Sequence, residues 1–275
     1  MTSHPSLTVL TVFAHPDDAE FLCGGTLACL AARGAAIHIT SMTAGDCGSD
    51  RLPAARISRI RRAEAAKAAA LIGASYVCLG EKDLCIFYSR PPLQEVMEQV
   101  RRVKPDLVFT HPPADYMVDH ETTSRLCQTA CFGAMAPNFR TAARRCAPAI
   151  GAVPPLYYTE PFGGRDILGR ESVPGLFVNI AETLEMKEKM IACHQSQRAW
   201  LSAQQEIADT SSMGRKMAAR VGRMAGIEWA EGFFQHLGQG FPQENILKNW
   251  LGGLVRVGGK AGANQLPDFG RRNRA

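Results

Sequence analysis

The chain has 275 residues, 46% of them apolar and 21% charged, enough to bury one substantial core. Its net charge of +5 is mild; the basic residues gather in one helix-like run (Arg56, Arg59, Arg61, Arg62) and in the last tail, without the interleaved aromatics of a nucleic-acid surface. No run nears the roughly 20 apolar residues of a membrane span, and nine scattered cysteines with no Cys-x-x-Cys pair argue for a reduced, cytoplasmic protein.

In chain order, Leu7 to Ala14 (LTVLTVFA) reads as a buried central strand. Residues 18–33 follow with helical spacing and a stop at Arg33-Gly34. Ala36 to Met42 is a second strand, and a Gly/Asp/Ser loop spans Thr43 to Asp50. A helix over 54–72 ends before Gly73, and Tyr76 to Leu79 gives a third strand. A helix over Leu93 to Val103 leads through Pro105 into a fourth strand ending at Thr110. Further on, the pattern predicts a helix over 121–135, strands at Leu156 to Thr159 and Leu176 to Asn179, and a helix from Ala181 to Cys193. Residues 199–237 read as mostly helical. This βαβα alternation predicts a single-domain α/β fold, residues 1–251, with a mostly parallel sheet and helices on both faces. Residues 252–275, Gly-rich and basic without periodicity, read as a disordered tail.

Two polar clusters fall at carboxyl ends of strands, where open parallel sheets bind ligands. The first is His15-Pro16-Asp17-Asp18 after strand one. The second runs from His111 to His120 after strand four and ends in Asp119-His120. Taken singly, Asp17 or Asp18 is simply a helix N-cap and each histidine a loop residue. Taken together they predict a metal site: His15, Asp18 and His120 as three ligands of a catalytic zinc, and Asp17 beside the open position as general base. The first turn has no Gly-x-Gly-x-x-Gly, which argues against a dinucleotide-binding oxidoreductase.

The segment from Val12 to Glu20, with Cys23-Gly24-Gly25-Thr26, resembles the signature of the LmbE-like, or PIG-L, family of zinc-dependent N-deacetylases. The resemblance continues through Thr43-Ala44-Gly45-Asp46, Arg61-Arg62-Ala63-Glu64, Asp119-His120 and His194-Gln195-Ser196-Gln197. It implies a Rossmann-like fold, one zinc on His15, Asp18 and His120, and Asp17 as base. It further implies Asp119 as the carboxylate that orients a neighbouring histidine and Arg61 as a residue of the substrate pocket. One position departs: many relatives carry a histidine three residues before the third ligand, as proton donor, and here that residue is Met117, which cannot donate. His194 and His111 are the candidates to stand in. His194 is taken as catalytic, and His111 as a substrate contact or a support behind the ligands.

The expected activity is removal of an N-acyl group, acetyl in the first instance, from a small amino-sugar conjugate such as an N-acetylglucosaminyl compound. Two alternatives stand beside it: hydrolysis of another amide, in a thiol conjugate or antibiotic intermediate, and a non-catalytic protein that binds zinc or a glycan. A homo-oligomer is left open.

Overall fold

A computed structural model describes residues 7–198, 200 and 210–258. Among the described residues, eight strands form one sheet: β1 (Thr8–Phe13), β2 (Ala36–Thr43), β3 (Ser75–Glu81), β4 (Leu107–Thr110), β5 (Leu156–Thr159), β6 (Leu176–Asn179), β7 (Ala230–Gln235) and β8 (Val255–Val257). Their order is β3-β2-β1-β4-β5-β7-β6-β8. The pairings from β3 across to β5 are parallel, and β7 and β8 pair antiparallel with their neighbours. The helices include α1 (Asp18–Ala31), α2 (Ala54–Ala70), α3 (Arg90–Val103), α4 (Val118–Gly133), α5 (Leu184–Ala192), α6 (Thr210–Ala225) and α7 (Ile246–Leu251), and residues 195–198 are helical as well.

The strands alternate with the period of two that a doubly covered sheet demands. Val9, Phe13, Leu107, Phe109 and Tyr157 pack with Phe21, Leu27 and Leu30 of α1 and with residues of α5, α6 and α7. Leu10, Val12, Val108, Leu156 and Tyr158 point the other way, onto Val96 and Val100 of α3 and Leu126, Cys127 and Ala130 of α4. Helices therefore cover both faces, as expected. The chain order reverses between β1 and β4, so a crevice opens beyond their carboxyl ends. Both polar clusters of the sequence lie there.

A buried ion pair ties α1 to the far half of the sheet. Glu231 of β7 accepts from the backbone N–H groups of Gly25 and Thr26, and Lys187 of α5 donates to Glu231 and to the Phe21 carbonyl. A Cβ at Gly25 would stand 2.8 Å from the Ile180 side chain, so only glycine lets α1 approach this closely.

Three expectations change. The third helix starts at Arg90 rather than Leu93 because Pro91 and Pro92 fit the first turn, where no N–H is needed. The stretch 199–237, read as mostly helical, also contains a strand: α6 ends at Ala225, and 230–235 pairs with β5 and β6. Its pairing partners lie dozens of residues away, beyond the reach of local periodicity, while 199 and 201–209 lie outside the described residues. The boundary at 252 also moves, since Val255–Val257 pairs with β6; 259–275 lie outside the described residues.

Candidate active site

β1 delivers His15 and Asp18 into the crevice, and β4 with the first turn of α4 delivers His120. His15 Nδ1 lies 3.3 Å from His120 Nε2 and 3.4 Å from Asp18 Oδ2. His120 Nε2 is 3.7 Å from Asp18 Oδ1. Neighbouring ligands on a tetrahedral zinc, each about 2.0–2.1 Å from the ion, are spaced by roughly 3.3 Å, so two imidazoles and a carboxylate placed this way fit such an ion. The predicted three are thus brought together.

Each histidine has a carboxylate behind it. His15 Nε2 faces Asp119 Oδ2 at 3.4 Å, and His120 Nδ1 faces Asp115 Oδ1 at 3.1 Å. Such partners fix the tautomer and turn the free nitrogen inward. Asp119 is itself held by the Leu84 N–H, at 2.7 Å. Burial alone would lower the pKa of His15, but its bonds to Asp119 and Asp18 outweigh that and push it up to about 10. Burial works the other way on Asp18, and the neighbouring His120 and His111 overcome it, holding the carboxyl well below its usual range. A surplus of carboxylate around His15 is the setting in which a cation replaces a proton.

Asp17 does not use its side chain as a helix cap. Its Oδ1 instead takes a 2.9 Å bond from Arg61 of α2, and both residues are buried. Arg61 is therefore not a surface helix residue. It enters over Gly45, where φ is +69° and a Cβ would collide with the guanidinium. One turn along α2, Glu64 accepts from the backbone N–H and hydroxyl of Ser196, which anchors the His194 segment beside this pair. His194 is buried, 3.6 Å from Glu20 Oε1. Burial tends to lower its pKa, but Glu20 and then Asp17 prevail and raise it.

His111 is fully buried and stacked on His120, with ring centroids 3.9 Å apart and planes 8° from parallel. Its Nε2 accepts from the Ala14 N–H at 3.0 Å and lies 3.1 Å from Asp18. Burial, then His120, lowers its pKa to about 4. Its ring has no exposed surface and lies against Asp18 and His120. Met117 stands just before α4. Tyr116 lies edge-on to His120 and near Phe162, forming an aromatic wall. Tyr157 and Tyr158 belong to the core. Asp115, which backs His120, is the residue of this cluster that sequence reasoning passed over. Its signal was present, an acidic residue five before His120, but that spacing spans a loop and a helix start and has no fixed geometry.

A family model described as PIG-L, GlcNAc-PI de-N-acetylase, matches residues 10–131. The chain is 27% identical over 236 residues to the 4-oxalmesaconate hydratase of Pseudomonas putida, covering 83% of this chain and 88% of that protein. It is also 27% identical over 236 residues to the diacetylchitobiose deacetylase of Thermococcus kodakarensis, covering 82% and 81% respectively. A solved structure of the N,N'-diacetylchitobiose deacetylase of Pyrococcus horikoshii shares the fold, with a TM-score of 0.69 at 24% identity and 83% of each chain covered.

Proposed function

We propose that this chain, which the PIG-L family model matches over residues 10–131 and which is similar to a diacetylchitobiose deacetylase over most of its length, is a zinc-dependent amidase removing an acetyl group from the nitrogen of an amino-sugar conjugate. The observation that carries the reading is the division of labour at β1. His15 and Asp18 converge with His120, while Asp17, between them in sequence, is turned aside onto Arg61.

His15, Asp18 and His120 would hold the ion; when bound, zinc polarises the amide carbonyl and makes water acidic enough to react near neutral pH. Asp17 accepts the proton of the attacking water. Arg61 keeps that carboxylate in one place, and Asp119 and Asp115 keep the imidazoles turned inward. Proton delivery to the departing amine is assigned to His194, which Glu20 favours in its protonated form and which Met117 cannot replace. The likeness to deacetylases of amino sugars supports the substrate class.

A second reading has its own support. A hydratase matches 83% of the chain, and Met117 removes a donor that amide cleavage uses. Hydration would employ the same water-activating set but add water across a carbon–carbon double bond of an unsaturated carboxylate.

The test loads the protein with zinc and measures acetate release from a panel of N-acetylglucosaminyl compounds beside hydration of conjugated enoic acids. Acetate release that Asp17→Asn abolishes supports the proposal. Hydration without acetate release supports the second reading. Stoichiometric zinc without either reaction favours a binding protein, and no zinc uptake overturns the ligand assignment.

A further inference from the structure

The loops after β2 and β3 bring a second group of donors together, apart from the three ligands above. Asp46, Cys47 and Asp83 each offer one ligand atom, all within 4.8 Å of one another. The backbone locks them in place: the Cys47 N–H donates to Asp83 Oδ2 and the Asp83 N–H to Asp46 Oδ1, both at 2.9 Å. Asp83 is only 7% exposed, and its Oδ1 has no hydrogen-bond partner among the described residues. A buried carboxylate oxygen left in this state is costly unless a positive charge meets it. The lysine at hand, Lys82, lies 3.3 Å from Asp46 Oδ2 on a side chain 70% exposed, and water can take it up readily. Burial, then Asp83 and Asp46, push the Cys47 thiol up, the direction that a cation among the three would reverse.

We propose that Asp46, Cys47 and Asp83 form a second metal site, for a thiophilic divalent cation such as zinc or cadmium. One thiolate and two carboxylates suit that class, whereas magnesium and calcium select all-oxygen sets. The site lies one residue from the first cluster's support. Leu84, next to Asp83, holds φ at +64° and donates its N–H to Asp119, the carboxylate behind His15. Asp83 already acts on His15 electrostatically. An ion on Asp83 thus pins the segment that orients His15.

The experiment uses the full chain, first loaded with zinc and then titrated with Cd2+ while the ultraviolet thiolate-to-cadmium charge-transfer band is followed. The first cluster contains no thiolate, so cadmium exchanged into it is silent in this band. The expected result is a saturable band at about one equivalent, retained in His120→Ala and Cys85→Ser and lost in Cys47→Ser. Asp83→Asn weakens cadmium binding roughly tenfold or more. Circular dichroism checks that each variant is folded, and Cys47→Ser, altered at an exposed side chain, keeps the test available if Asp83→Asn is not. No saturable band in the wild type, or a band surviving Cys47→Ser, overturns the proposal. Because His120→Ala damages the first site alone, failure of the catalytic reading leaves this result standing, and the converse holds.

Discussion

Substituting Asp115 by asparagine tests the zinc assignment at a residue that is not one of the three ligands. Asp115 is buried, its Oδ1 sits 3.1 Å from His120 Nδ1, and Glu121 Oε1 steadies its backbone N–H at 3.0 Å. The amide oxygen of asparagine can still accept the Nδ1–H bond, so the ring stays oriented and what is lost is the negative charge that makes Nε2 a stronger donor. Removing such a partner costs about tenfold to a hundredfold in metal affinity, or roughly 1.4–2.7 kcal/mol. With geometry retained, the lower end is expected. The assay is zinc competition against a chromophoric chelator, with Asp119→Asn as the matching change behind His15 and His120→Ala as the loss of a ligand. An affinity within about twofold of wild type would refute the reasoning. So would a loss as large as that of His120→Ala, which would make Asp115 a ligand in its own right, in the alternative grouping of His111, Asp115 and His120.

Asp17→Asn should lower kcat by about a hundredfold to ten-thousandfold while zinc stoichiometry is unchanged, read by acetate release and metal analysis of the same preparation. Lys187→Met should destabilise the fold by roughly 3–5 kcal/mol in urea unfolding, because it strands the buried Glu231 carboxylate; adding Glu231→Gln should recover part of that loss. Burial pushes Glu160 up to about 7, although Arg220 opposes it. The folded form therefore holds this proton more tightly than the unfolded chain. Its contribution is full below the ordinary value of 4.5 and is lost as pH rises through about 7. Glu160→Gln should remove a fall of order 3 kcal/mol from the stability profile across that window, and an unchanged profile would rule the group out as its source.

The sequence by itself determined the parallel half of the sheet and the three residues, His15, Asp18 and His120, that converge in the crevice. Both rest on information local to a few residues: β-rich runs such as LTVLTVFA, helices stopped by glycine, and a four-residue turn whose chemistry is unusual in any context. Where pairing reached across the chain, local pattern failed. Residues 230–235 became a strand only because β5 and β6 flank them, and 255–257 because β6 has a free edge. The same limit applied within the site. Asp17 and Arg61 lie 44 residues apart, Asp119 meets His15 across 104, and Asp83 meets Cys47 across 36. No periodicity encodes those distances. Which carboxylate faces the two histidines, which one is held aside on Arg61 and which backs a histidine is decided by the reversal between β1 and β4, which folds two distant loops into one crevice.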